Sequence, residues 1–120
     1  MIHIREIDHV VLRCADLDQM LAFYRDVLCC PLESSQPGLL QLRAGRSLMD
    51  LVPVSGVVAG HNMDHLCLRV DPFDAEAIII HLEAPGVVPG EVVERSGADG
   101  IGPSMYIQDP EGNMVELKGP

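Results

Sequence analysis

The sequence contains no tryptophan and only two tyrosines and two phenylalanines, so its core must consist mainly of aliphatic side chains. Basic residues are also scarce: 8 Lys and Arg stand against 18 Asp and Glu, which gives a formal net charge of −10. Such an acidic surface repels phosphate backbones and anionic lipids, so nucleic acid and membranes are poor partners. No apolar run approaches membrane-spanning length, and the N-terminal residues lack a signal-peptide pattern.

The four cysteines show neither a CxxC pair nor the spacing of a zinc ribbon. Cys14 and Cys67 fall on predicted strands, where a small buried thiol is common. Cys29 and Cys30 are adjacent, and a disulfide between neighbours is strained. We therefore expect four reduced thiols in a cytoplasmic protein.

A short segment of the chain occurs twice. DHVVLRCAD (8–16) recurs as DHLCLRVDP (64–72), with Asp, His, Leu and Arg at the same offsets. In the first copy a strand over 7–14 is followed by a helix that begins after the capping residue Asp16. The helix is predicted over 17–28, and Pro31 ends it. Three strands over 32–35, 39–44 and 47–53 then complete the first module, with a tight hairpin at 44–46 between the last two.

The second copy predicts the same order of elements. After the strand at 64–70, Asp71 is expected to cap a helix that has Pro72 at its first position. Phe73, Ala77, Ile80 and Ala84 supply its apolar stripe, and strands follow near 91–95, 104–108 and 113–118. The sequence therefore predicts an α+β fold of two βαβββ modules, 7–53 and 64–118, in a single domain over 1–120, with a connector at 54–63.

The alternation of side chains along the strands predicts a polar site on one face of each module. In the first strand of each copy His9 and His65 point away from the apolar face, together with Arg13 and Arg69. In the closing strands Asp50 and Glu116 point away from that face too. If the first and last strands are neighbours, each module offers one imidazole and one carboxylate close together. Two modules together give two imidazoles and two carboxylates, a set that suits a divalent ion such as Zn²⁺, Ni²⁺, Co²⁺, Mn²⁺ or Fe²⁺.

Several segments together resemble the vicinal oxygen chelate superfamily of glyoxalase I, fosfomycin-resistance proteins, extradiol dioxygenases and bleomycin-resistance proteins. These segments are IDHVVLRCADLDQMLAFYRDVL (7–28), GRSLMDLVP (45–53), MDHLCLRV (63–70) and SMYIQDPEGNMVELKG (104–119). The resemblance implies paired βαβββ modules whose mixed sheets curl around a cavity that holds one metal ion. Carried over by position, the ligands are His9, Asp50, His65 and Glu116.

The function that this resemblance implies is a glyoxalase-like lyase or isomerase that needs one divalent metal and no organic cofactor. A small substrate chelates the metal through vicinal oxygens, the metal stabilises an enediolate-like state, and Glu116 acts as the general base. Arg13 and Arg69 are candidates to hold an anionic substrate group, although a salt bridge at the module seam explains them equally well. Tyr106 is a candidate substrate contact, with wall packing as its alternative.

Other interpretations remain open at this point. A fosfomycin-type thiol transferase or an extradiol-type dioxygenase uses similar ligands, and a bleomycin-type sequestration protein would use the fold without a metal. Members of this size commonly form homodimers in which the site is shared between chains. The glycine-rich segment at 94–104 is expected to be a mobile loop over the site or a plain surface loop.

Two positions depart from the pattern that the resemblance implies. Glyoxalase-type sites usually have Glu where Asp50 stands, so Asp50 is expected to bind from another angle, through water, or not at all. The family often has glycine in the left-handed position that ends the first helix, and Cys29 stands there.

Overall fold

A computed structural model describes residues 1, 3–55 and 63–120 of the protein. The chain divides into two compact units, Met1–Ala59 and Gly60–Pro120. Most of the predicted connector at 54–63 lies outside the described residues.

The first unit contains one mixed sheet of four strands. Its elements are β1 (His9–Cys14), α1 (Leu17–Ala22), a π-helical turn (Phe23–Val27), β2 (Leu32–Gln36), β3 (Leu39–Ala44) and β4 (Ser47–Pro53). The strand order is β1-β4-β3-β2. β1 runs parallel to β4, while the other neighbouring pairs are antiparallel.

The second unit repeats this topology. Its elements are β5 (Leu66–Arg69), α2 (Ala75–Glu83), β6 (Val93–Gly97), β7 (Gly100–Gln108) and β8 (Met114–Lys118). The strand order is β5-β8-β7-β6, with β5 parallel to β8. Both sheets are open, and the predicted α+β fold of two βαβββ modules is confirmed. That the two modules form one domain stays a prediction.

Each unit has a core of apolar side chains that follows the period of its strands and helices. In the first unit, Leu12 and Cys14 of β1 and Met49 and Leu51 of β4 are buried. Side chains of the first helical segment complete this core, namely Met20, Phe23 and Tyr24. In the second unit the buried set is Leu82, Met105, Ile107, Val115 and Leu117. These residues recur at every second position of their strands, as expected for a sheet with one face against a helix.

The first helix differs from the predicted continuous α-helix over 17–28. Asp16 caps it as expected, because its Oδ1 accepts a hydrogen bond of 3.0 Å from the backbone N–H of Gln19. From Phe23 onward the helix is π-helical: the N–H of Leu28 donates to the carbonyl of Phe23, five residues back, at 3.0 Å. Cys29 then adopts a φ of 61°, the left-handed conformation that the resemblance assigned to this position.

The prediction for the second helix was wrong in its start and in its buried face. Asp74, not Asp71, caps the helix, because its Oδ1 accepts a hydrogen bond of 3.1 Å from the N–H of Ala77. Pro72 therefore lies before the helix. The later start rotates the apolar face, so that Leu82 is buried while Ile80 is 66% exposed.

The segment at 94–104, predicted as a loop, is a β-hairpin. The pairing of β6 with β7 continues as far as Gly97 and Gly100, so the turn consists of residues 98 and 99 only. Arg69 on β5 forms an ion pair with Asp99 in this turn.

The prediction that Cys67 is buried was also wrong, because Cys67 is exposed, whereas Cys14 is buried as expected. All four cysteines lie within the described residues and are free thiols.

Replacing Cys29 with glycine should raise the free energy of unfolding by about 0.5–1 kcal/mol. A β-carbon is strained at positive φ, whereas glycine is not, although the greater freedom of glycine in the unfolded chain offsets part of the gain. Urea denaturation in reducing buffer measures the change. Cys29→Ala keeps the β-carbon and is the matched control, so equal stabilities for the two variants would contradict this assignment of strain.

Replacing Arg69 with glutamine should raise the pKa of Asp99. The hydrogen bond from Arg69 and the charge of its guanidinium hold the pKa of this carboxyl below its ordinary value of 3.8. Because the folded-state pKa is the lower one, the pair favours folding above the unfolded pKa and loses that contribution as pH falls through the folded pKa. Carboxyl NMR titration measures the shift.

The same spectra contain an internal control. The pKa of Asp26 is lowered mainly by its hydrogen bond from Arg25 and should not change in Arg69→Gln. A pKa of Asp99 that is equal in wild type and variant would show that the ion pair does not form in solution.

Candidate functional site

The strand register of the first unit brings His9 and Asp50 to the same face of the sheet. Val11 lies opposite Asp50 across the parallel pair of β1 and β4, and His9 is two residues before Val11. The Nε2 atom of His9 is 4.0 Å from Oδ2 of Asp50. The other carboxylate oxygen, Oδ1, accepts a hydrogen bond of 3.3 Å from Nε2 of Gln41 on β3.

The second unit repeats this arrangement in the same register. Cys67 lies opposite Glu116 across the parallel pair of β5 and β8, and His65 is two residues before Cys67. The Nε2 atom of His65 is 3.1 Å from Oε2 of Glu116. Ser104 on β7 donates a hydrogen bond of 2.6 Å to the other oxygen, Oε1. In both units, therefore, a neighbouring strand holds one carboxylate oxygen while the second oxygen faces an imidazole.

The preceding aspartate orients each imidazole. Nδ1 of His9 is 2.8 Å from Oδ1 of Asp8, and Nδ1 of His65 is 2.7 Å from Oδ2 of Asp64. An ionised carboxylate only accepts hydrogen bonds, so each Nδ1 donates and each Nε2 faces the acid of the neighbouring strand. The hydrogen bond to Asp8 is also the largest cause of the raised pKa of His9, to which the charge of Asp50 adds.

These two pairs fit the donor set of a divalent metal. Two ligand atoms at normal bond lengths on one ion lie about 3–3.5 Å apart. The 3.1 Å separation in the second unit matches this value, and the 4.0 Å separation in the first unit is slightly wide, since Asp50 is one methylene shorter than glutamate. Metal-binding histidines typically donate their other ring nitrogen to a carboxylate, as Asp8 and Asp64 allow here.

Each unit by itself supplies only one pair of candidate ligands. Within the described part of either unit, no group of three or more His, Cys, Asp or Glu side chains is placed to hold a metal ion.

Tyr106 lies beside the His65–Glu116 pair. It is the residue of β7 directly opposite Glu116. Its ring makes an edge contact with the ring of His65, with centroids 5.4 Å apart. On its face lies the guanidinium of Arg95, with Cζ 4.4 Å from the ring centroid. The structure thus brings Tyr106 into contact with a predicted ligand, while its role as a substrate contact stays a prediction.

The two predicted substrate arginines have different surroundings. Arg13 is exposed on β1 and makes no ion pair with any described residue. Arg69, opposite Lys118 in the register of β5 and β8, is paired with Asp99. This ion pair lies inside the second unit and so is not the seam contact considered from the sequence.

Cys67 is a further polar neighbour of Glu116. Although the residue is exposed overall, partial desolvation of the thiol raises its pKa, and the negative charge of Glu116 and a hydrogen bond to it add to this effect. The thiol therefore stays protonated at neutral pH.

Sequence reasoning missed the residues that support the four candidate ligands. Asp8 and Asp64 were visible in the repeat, where the shared Asp-His dipeptide was the signal for an oriented imidazole. Gln41, Ser104 and Arg95 carry no such signal, because their contacts depend on which residues of neighbouring strands lie opposite one another.

Comparisons of the sequence with protein families and with known proteins point to the same family. Residues 6–117 match the Glyoxalase/Bleomycin resistance protein/Dioxygenase superfamily. The chain is 30% identical over 122 residues to the glyoxalase domain-containing protein RDO1 of Mycosarcoma maydis. The aligned region covers 95% of this chain and 68% of that protein.

Solved structures agree in fold. An integron cassette protein from the mobile metagenome of V. cholerae is 28% identical, with a TM-score of 0.84 over 99% of this chain and 98% of that one. Lactoylglutathione lyase from Agrobacterium tumefaciens is 26% identical, with a TM-score of 0.70 over 95% and 92% of the two chains. The resemblance predicted from the sequence is confirmed: the chain belongs to the Glyoxalase/Bleomycin resistance protein/Dioxygenase superfamily.

Proposed function

We propose that this protein is a metal-dependent lyase or isomerase of the glyoxalase type. The observation that carries the proposal is the duplicated pair of imidazole and carboxylate, with donor atoms 3.1 Å apart in one unit and 4.0 Å apart in the other. The similar protein from A. tumefaciens is named a lactoylglutathione lyase, which favours this reaction class for the chain. The protein acts on a small molecule with vicinal oxygens.

The metal ligands in this proposal are His9, Asp50, His65 and Glu116. Histidine and carboxylate together suit a borderline divalent ion such as Zn²⁺, Ni²⁺, Co²⁺, Mn²⁺ or Fe²⁺. When bound, the ion supplies Lewis-acid stabilisation of negative charge on the substrate oxygens. Since each unit offers two ligands, the complete set needs both units, and a homodimer with sites shared between chains is one way to bring them together.

Glu116 is the proposed general base. Ser104 fixes its Oε1, so that Oε2 is the atom aimed at the site. Oε2 accepts a proton from the substrate carbon next to a carbonyl and returns it to the adjacent carbon, so the reaction leaves the enzyme unchanged. His65, held by Asp64, keeps the carboxylate in this orientation.

We place this reaction in the cytoplasm, where free thiols persist. The four unbridged cysteines are compatible with that placement. Among the described residues, no helix has the length and apolar content needed to cross a bilayer.

Purified protein should contain a stoichiometric divalent metal, and His65→Ala should weaken metal binding by about 100-fold or more. Loss of an outer partner alone costs roughly 10- to 100-fold, and loss of a ligand costs more. Elemental analysis and competition with a chromophoric chelator measure occupancy and affinity. The metal-loaded protein should isomerise the hemithioacetal of methylglyoxal and glutathione, and His65→Ala should not.

His3→Ala is the matched control for this experiment, because His3 is an exposed histidine before β1. It should bind metal and turn over substrate like the wild type. Equal metal affinity in His65→Ala and His3→Ala would refute the proposed site.

Lengthening the side chain of Asp50 and shortening that of Glu116 should change metal affinity in opposite directions. Asp50→Glu adds a methylene where the donor separation is 4.0 Å and should tighten binding several-fold. Glu116→Asp removes a methylene where the separation is 3.1 Å and should weaken it by about tenfold. Chelator competition on both proteins tests this pair, and a change in the same direction for both would exclude Asp50 as a ligand.

A further inference from the structure

Arg95 on β6 is held rigidly beside the proposed centre. Its Nη1 donates hydrogen bonds to the carbonyl and to the hydroxyl of Ser104, at 3.1 and 3.0 Å. The Cζ atom of its guanidinium lies over the ring of Tyr106, 4.4 Å from the centroid. The ring contact and the two hydrogen bonds restrict the side chain, so it loses less entropy when a ligand binds than a free arginine would.

This anchoring leaves one edge of the guanidinium unused. Both hydrogen bonds come from Nη1, so the edge formed by Nε and Nη2 has no partner among the described residues. Arg95 also forms no ion pair with any described carboxylate. The Nε–Nη2 edge presents two parallel N–H groups, the geometry that binds a carboxylate or phosphate through two hydrogen bonds.

A second cation lies on the same face of the sheet. Lys118, the one lysine of the sequence, is opposite Ser104 in the register of β7 and β8 and is only 1% exposed. Its ammonium donates to the carbonyl of Gly119 at 3.0 Å and makes no ion pair with the described residues. Asp99 feels the charge of Lys118, which helps to lower the pKa of that carboxyl, but no described carboxylate pairs with the ammonium directly. A buried ammonium raises the electrostatic potential around it, because the surrounding dielectric is low.

Space for this lysine is provided by glycine. A β-carbon at Gly97 would lie 2.8 Å from Cε of Lys118, so the lysine side chain occupies the space that the β-carbon of any other residue would need. Arg69, by contrast, is already neutralised by Asp99. Arg95 and Lys118 are therefore the cations of this face that have no described carboxylate as a direct partner, although Asp99 also attracts Lys118 at longer range.

We propose that Arg95 and Lys118 form an oxyanion-binding subsite beside Glu116, and that the substrate carries a carboxylate or phosphate group. The Nε–Nη2 edge of Arg95 binds the oxyanion, and Lys118 contributes positive potential from beneath the face. Ser104 links the subsite to the reacting centre, because its hydroxyl contacts Arg95 and Glu116 at once. As a statement about the substrate, this inference rests on the proposed function.

Anion titration of the metal-free protein tests the subsite separately from the metal. After chelation, ¹⁵N NMR shifts are followed while inorganic phosphate or, in a second arm, acetate is added. Saturable shifts at Ser104 and Tyr106 are expected with at least one anion, and tighter binding of phosphate or of acetate assigns the group as phosphate-like or carboxylate. Arg95→Gln should weaken binding about tenfold, since a charge-assisted hydrogen-bond pair is lost, and Lys118→Met should weaken it several-fold.

Two further variants make the outcome decisive. Arg95→Lys keeps the charge but not the two-pronged edge, and it should lose most of the affinity too. Arg46→Gln removes an exposed arginine of the β3–β4 hairpin and should bind anions like the wild type. Absence of saturable shifts with both anions, or equal affinity in Arg95→Gln and wild type, overturns the proposal.

Metal affinity measured on the same proteins separates the two hypotheses. Arg95→Gln should reduce metal affinity far less than His65→Ala does, because Arg95 is not a ligand. A protein that binds metal but no anion would overturn the subsite alone, whereas one that binds anions but no metal would overturn the proposed function.

Discussion

The site depends on the parallel pairing of the first and last strands in each unit. That register places Leu12 beside Leu51 and Leu68 beside Leu117 on the apolar face. A shift of one residue would turn these side chains out of the core, so burial of the apolar face fixes the register. The same register sets each histidine two residues before the position opposite the acid. The geometry of the candidate ligands is therefore a consequence of core packing rather than of any direct attraction between them.

The strands and the polar face were predictable because alternation has a simple period, whereas contacts between strands were not. His9 and Asp50 could be assigned to one face by counting residues along each strand. The face of α2 was predicted wrongly because Ala77, Ile78, Ile79 and Ile80 form a continuous apolar run, in which only the position of the N-cap sets the phase. The hairpin at Gly97 and Gly100 was missed because three glycines resemble a loop until strand pairing is known.

Comparison of the two units shows which positions the duplication has kept and which have diverged. The histidine, the acid and the aspartate before the histidine recur at equivalent places. Their neighbours differ: Gln41 lies opposite Asp50 where Tyr106 lies opposite Glu116. The first unit also lacks a counterpart of the Arg95–Ser104 contact among the described residues. The candidate ligand positions are thus shared, and the second unit carries additional polar groups beside them.

The buried lysine provides an argument about function from its cost to stability. Val52 in the first unit is equivalent to Lys118 in the second. Arg13 lies opposite Val52, and the equivalent Arg69 lies opposite Lys118. The sheet therefore accepts an apolar residue at this position, and replacing a buried charge with an apolar side chain is often neutral or stabilising. An ammonium that the fold does not require, in a protein of net charge −10, has a ready explanation in the binding of an anion. Stability alone would thus allow an apolar residue at this position, and the proposed binding of an anion gives the lysine a function.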